Sequence, residues 1–163
     1  MKLDRTDFEI LDTLQRNAEL TNKELADLVD LAPSSCLQRV RRLKRAGVLK
    51  GAHAAVDPAA LGIGLQALIT VRFSQHNEAQ LNAFRDNLLK RPELMTLYHI
   101  SGAIDFIAHV AVRDVAHLRD LGAEAFTSQK LVSHIETSIV FEHHRAVALP
   151  AYAGVNELIR SKR

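Results

Sequence analysis

Arg39, Arg41, Arg42, Lys44, Arg45 and Lys50 crowd into residues 33–56, a stretch without a single Asp or Glu. Cations at that density attract phosphate oxygens, although the formal charge of the whole chain is only +2. Residues 1–32 are the reverse: Asp4, Asp7, Glu9, Asp12, Glu19, Glu24, Asp27 and Asp30 outnumber Lys2, Arg5, Arg16 and Lys23. A basic helix is often no more than a solvated face, so the cluster takes its meaning from the elements that carry it. The other groups with chemical potential are histidines and one thiol. His143 and His144, with His99, His109 and His134, raise the question of a metal, but no histidine pair four apart on a helix and no cysteine partner accompanies them, so none is expected. Cys36 is the only cysteine, which excludes an intrachain disulfide; its place on an apolar helix stripe makes it a small packing residue and not a redox switch.

Helical spacing positions the cluster. Phe8, Leu11 and Leu14, with Ile10 beside them, predict a helix over 4–16. Thr21 with Glu24 three residues on forms a capping box that opens a second helix over 22–29, with Leu25, Leu28 and Val29 inward. After a turn at 30–32, Pro33 suits a first helical position, Cys36, Val40 and Leu43 continue the apolar stripe, and Gly47 stops the third helix. Two helices joined by a short turn, with the basic cluster on the last, are the parts of a helix-turn-helix, and 48–56 reads as an extended wing.

On that third helix each residue advances about 100°, which sets Ser34, Ser35, Gln38, Arg39 and Arg42 on the outer side. Gln38 suits an adenine edge and Arg39 a guanine edge, while Ser34 and Ser35 reach bases or phosphates. Arg41, Arg42, Lys44, Arg45 and Lys50 suit phosphates, which supply affinity without sequence information. His53 in the wing is either a DNA contact or a plain surface residue.

Asp57 to Gly62 reads as a turn and linker, giving a first domain over 1–57, a linker over 58–63 and a second domain with a tail over 64–163. In the second domain strands are predicted over 65–73, 94–100, 106–112 and 133–142. Helices are predicted over 78–90, with Leu81, Phe84, Leu88 and Leu89 inward, and over 115–126. The order βαββαβ gives an α+β, ferredoxin-like domain: a four-stranded antiparallel sheet with both helices on one face. Ile, Val, Phe and Leu on the open face would remain unburied in one subunit, so pairing of two sheets face to face is expected. Between the middle strands, Ser101-Gly102-Ala103-Ile104-Asp105 makes a turn in which Gly102 permits a close backbone approach; the same pattern also serves as an ordinary hairpin turn.

Cys36 to Leu43 followed by Ala46 to Gly51, the opening Leu3-Asp4-Arg5-Thr6-Asp7, the linker Asp57-Pro58 with Leu61-Gly62, and Ser101 to Phe106 together resemble the leucine-responsive regulator/AsnC family, the feast/famine regulators. The resemblance covers the chain from Leu3 to about Glu142. It implies a transcription regulator that binds double-stranded DNA through a winged helix-turn-helix. It also implies an amino-acid effector, no other cofactor, and assembly of homodimers into an octamer or similar. In that family the glycine- and aspartate-bearing loop lines a cleft between dimers, which by analogy makes Ser101, Gly102 and Asp105 effector contacts, with Thr127, Thr137 and Ser138 as further candidates. Two places depart from the family: Ala32 stands where a capping Ser is usual, and Gln129-Lys130-Leu131-Val132 where a Pro-Gly-Val turn is common.

Met1-Lys2-Leu3-Asp4-Arg5 leads into no long apolar run, and no stretch reaches the roughly 18 uncharged apolar residues that a bilayer requires. A cytoplasmic protein without membrane contact is expected. Two other functions share parts of this plan. Siroheme decarboxylases have the same two domains, but with a degraded DNA-reading helix and Arg- and His-rich strand motifs not evident here. An architectural protein would wrap DNA with little sequence preference.

Overall fold

The computed structural model describes residues 2–75, 77–127 and 131–152. The described residues divide into two compact units, one formed by those up to Ala54 together with 144–152, the other by those within Ala55–His143.

The first unit is built on α1 (Arg5–Arg16), α2 (Asn22–Leu28) and α3 (Pro33–Arg45). Asp4 caps α1, accepting the Asp7 N–H at 2.9 Å while the Asp7 carboxylate accepts the Asp4 N–H at 3.1 Å. The expected Thr21–Glu24 capping box opens α2. Asp30, in the turn between α2 and α3, holds a φ of 51°, a left-handed conformation that Asp tolerates better than most side chains. Ala32 leaves α3 without a side-chain cap, as its methyl dictates, and Pro33 takes the first helical position. The helix closes with the N–H groups of Gly47 and Val48 bonded back to Lys44 and Leu43 carbonyls. Ile10, Leu25, Ala26, Val29, Cys36 and Leu43 form the core. Leu28, expected inward, is 65% exposed, and Ala26 takes the inward place instead. The expected wing carries no strand: residues 50–57 have no regular secondary structure. Beyond the second unit the chain returns here, the Leu149 N–H donating to Gln15 Oε1 at 2.8 Å.

The second unit contains β1 (Leu65–Phe73), α4 (Glu78–Leu88), β2 (Leu94–His99), β3 (Phe106–Val112), α5 (Val115–Leu121), a wider π-helical turn at Gly122–Thr127 and β4 (Val132–Val140). The sheet order is β2-β3-β1-β4, antiparallel throughout, as the βαββαβ order requires. Period-two alternation sends Ala67, Ile69, Val71 and Phe73 of β1 and Phe106, Ala108, Val110 and Val112 of β3 to one face, where they meet Phe84, Leu88, Leu118, Leu121 and Phe126. Phe73 stands edge-on to Phe84 with centroids 5.0 Å apart. Helix α4 ends at Leu88, so Leu89 is exposed and not inward. Gln129 and Lys130, at the departure from the family pattern, lie outside the described residues, as does the tail beyond Tyr152.

The open face is more polar than expected. Leu68, Ile107 and Val140 are half-buried and Tyr98 is exposed, but Gln66, Thr70, Arg72, His134, Glu136 and Ser138 share the face with them, and both strand phenylalanines point to the helices. Among the described residues no helix is long and apolar enough to cross a membrane.

Candidate nucleic-acid interface and ligand cleft

With Cys36 and Leu43 fully buried, α3 turns Ser34, Ser35, Gln38, Arg41, Lys44 and Arg45 to solvent, and Lys50 is exposed just past its end. Ser34, Gln38, Arg41 and Arg45 lie closest to the pole opposite the core, each within about 45° of it at 100° per residue. Cys36 lies fully buried in the core of this unit, and burial pushes its thiol above the ordinary pKa, which disfavours the reactive thiolate.

Arg39 and Arg42 behave otherwise. Arg39 Nη1 donates to Asp4 Oδ2 at 2.6 Å and to Asp7 Oδ1 at 2.9 Å, and Arg42 Nη2 donates to Asp7 Oδ1 at 2.6 Å. Asp7 is fully buried, and a carboxylate removed from water must be paired and hydrogen-bonded to remain ionised. Two arginines of α3 therefore serve the first turn of α1. The hydrogen bond from Arg39 is the main cause that holds the Asp4 carboxyl below its ordinary range, and the same contact makes Arg39 more basic. Reading of a guanine edge by Arg39 is accordingly not met in this conformation, nor is Arg42 a free phosphate contact. The sequence contained a signal for this, in acids at 4 and 7 facing arginines at 39 and 42 with the same spacing, but only a tertiary contact joins them.

In the second unit, His99, Ile100, Ser101, Gly102 and Asp105 line a cleft of about 460 Å³ at the β2–β3 turn. Gly102 has a φ of +120°, a conformation that L side chains rarely adopt, so the turn demands glycine there. The turn is tied at both ends: Ile100 N–H donates to the Asp105 carbonyl at 3.0 Å and Asp105 N–H to the Val71 carbonyl at 2.9 Å. Asp105 Oδ2 accepts the Phe73 N–H at 2.8 Å. The carboxylate expected to meet an effector thus has a structural duty as well. His99, which sequence reasoning weighed only as a metal ligand, forms a wall of the cleft with its ring stacked on Phe106 at 4.6 Å. Its nearness in sequence to Ser101 was the available signal.

Thr127, Thr137 and Ser138 do not join this cleft. Thr127 ends the π-helical turn, its hydroxyl donating to the Gly122 carbonyl at 3.1 Å. Thr137 pairs with Ile69 on the helix-facing side and Ser138 with Leu68 on the open side. Strand β4 lies three positions from β2 in the sheet, about 14 Å at the usual strand spacing. Within one chain the six expected effector residues fall into separate groups.

On the open face His109 is 7% exposed: its Nε2 stands 2.9 Å from Gln66 Oε1, and its ring meets the edge of His143 at 5.3 Å.

Residues 3–50 match the family model for winged helix-turn-helix DNA-binding, and residues 66–146 match that for the Lrp/AsnC ligand binding domain. The chain is 40% identical over 146 residues to the HTH-type transcriptional regulator AldR of Mycolicibacterium smegmatis, an alignment covering 90% of this chain and 85% of that one. It is 32% identical over 139 residues to the leucine-responsive regulatory protein of Rhizobium meliloti, covering 85% and 89%. Among solved structures, a transcriptional regulator of Neisseria meningitidis in complex with L-Met superposes with a TM-score of 0.84 at 30% identity, covering 91% of this chain and 97% of that one.

Proposed function

The chain belongs to the Lrp/AsnC family of DNA-binding transcription regulators, a family of regulators and not of enzymes, and from that premise we propose that an amino acid received at the β2–β3 turn changes its assembly or its affinity for DNA. The observation that carries this reading is the cleft at Gly102: about 460 Å³, lined by His99, Ile100, Ser101, Gly102 and Asp105. An amino acid needs donors for its carboxylate and acceptors for its ammonium, and a polar turn beside an aromatic wall supplies both kinds. The Neisseria meningitidis neighbour, captured with L-Met, supports the choice of ligand class.

For DNA, Gln38 and Arg41 are the base-reading pair in this proposal. They stand three residues apart on the exposed side of α3, with Ser34 and Ser35 at its leading end and Lys44, Arg45 and Lys50 on phosphates. A second copy of the chain would cover Leu68, Ile107, Val140 and Tyr98 on the open sheet face, giving a homodimer, and dimers would assemble further into an octamer or similar ring. The working place of such a regulator is the cytoplasm. Residues 58–63 would link the two domains.

A thermal-shift screen of the twenty amino acids, followed by DNA titrations with and without the best of them, tests this. A ligand that binds the folded state raises the melting temperature and shifts DNA affinity. If no amino acid does either at millimolar concentration, the effector is of another class.

A further inference from the structure

The four groups that join α1 to α3 are unequal in a way that matters for DNA. Asp7 is fully buried and bonded to both Arg39 and Arg42. The Asp4 side chain is 51% exposed, and Arg39, which bonds to it, is 28% exposed. Arg39 Nη1 therefore has an inner acceptor on the buried Asp7, Oδ1, which fixes its position, and an outer acceptor on the half-exposed Asp4, Oδ2. An ion pair open to water contributes little to stability and exchanges readily, whereas breaking a buried one leaves an uncompensated charge away from water. The guanidinium fork matches carboxylate and phosphate oxygens alike.

We propose that the Asp4 carboxylate stands in for a DNA phosphate on Arg39, so that Arg39 is a latent backbone contact withheld by Asp4 and held in place by Asp7. The proposal rests on α3 being the DNA-binding helix. In the free protein the pair neutralises one cation of the basic cluster and lowers affinity for DNA of any sequence. On a correctly seated site a phosphate displaces Asp4, and Arg39 turns to it about its bond to Asp7 without leaving the α1–α3 junction. Specific binding then gains a contact that loose, nonspecific encounters do not make. Asp4 tunes the ratio of specific to random binding without touching a base.

Asp4 also caps α1 through Oδ1, so the test must remove its charge and keep the cap. Asp4→Asn does so, Asn being as good a cap as Asp, and Asp4→Ser is a second such variant. Binding of wild type, Asp4→Asn, Arg39→Gln and the double variant to random-sequence duplex is titrated across salt. The expected result for Asp4→Asn is about threefold tighter binding at low salt, with the slope of log K against log salt steeper by about 0.9, one released counterion. The increment should vanish when Asp4→Asn is made on the Arg39→Gln background. Asp4→Asn with an unchanged or shallower slope overturns the proposal. So does an increment that survives in the double variant, since that is only the general loss of a negative charge. If both Asp4→Asn and Asp4→Ser lose cooperative melting, the pair is required for folding and an exchangeable role is likewise overturned. Loss of wild-type salt dependence altogether would instead strike at the assignment of α3 to DNA.

Discussion

The Phe73 N–H donates to Asp105 Oδ2 at 2.8 Å, joining the last residue of β1 to the residue before β3. Asp105 is 6% exposed, and its own N–H bonds to the Val71 carbonyl. One side chain thus secures the end of the β1–β3 pairing and shapes the turn that carries Gly102. Any ligand bound at that turn rests on a frame that Asp105 holds.

Asp105→Ala should therefore destabilise the protein by about 1–3 kcal/mol, because it strands a buried N–H, before any effect on ligand is considered. Asp105→Asn keeps an acceptor oxygen and should recover most of the loss. Urea denaturation of the two variants makes the comparison. Equal stability of Asp105→Ala and wild type would show that the bond is dispensable. An intact fold in Asp105→Asn combined with loss of the amino-acid response would then isolate a ligand contact from the structural one.

On the DNA side, Arg41→Ala should cost about 1–3 kcal/mol on a specific site and relax preference at one base position. Lys50→Ala should weaken all sequences alike and reduce the salt slope by about 1. Half-sites are expected an integral number of duplex turns apart, as two-fold symmetry requires. Footprinting with a set of single-base variants distinguishes the two substitutions; identical losses on specific and random duplex would show that Arg41 is also a phosphate contact.

How much of this was legible in the sequence depended on the range of the interaction. The Thr21–Glu24 box and the alternation of Leu65 to Phe73 are local patterns, and both are found where spacing predicts them. Leu28 was misplaced because a helix of 7 residues offers too few turns to fix the phase of its apolar face. The pairing of Arg39 and Arg42 with Asp4 and Asp7 spans more than thirty positions, and no local period encodes it. Thr137 and Ser138 are a different matter: adjacent residues of one strand face opposite ways, so within one chain they lie on opposite sides of the sheet.

Gly64 is a position the sequence left unmarked. Its N–H donates to the Val112 carbonyl at 3.0 Å, and a Cβ built there would lie 2.1 Å from the Arg113 carbonyl oxygen. That neighbour is backbone, which cannot move aside without disturbing the β1–β3 register. Gly64→Ala should lower stability by about 1–3 kcal/mol through overpacking. A melting temperature equal to that of wild type would mean that the approach between the two chain segments is looser than this.

The pH dependence of stability should pass through His109. Burial is the main cause that lowers its pKa below the ordinary 6.5, and the neighbouring His143 adds to it by like-charge repulsion. Between the lowered folded value and 6.5 the unfolded chain binds a proton that the folded chain does not. Stability must then fall as pH drops through 6.5, and the loss stops growing once pH is below the folded value. The signal is a difference: urea midpoints of wild type and His109→Gln at pH 7.5 and 5.5. Gln preserves a polar partner for Gln66 without a titrating group, and its midpoint should move less between the two conditions. An equal movement in both proteins would mean that His109 takes up its proton as easily folded as unfolded, and that its burial and the nearby His143 do not keep it neutral.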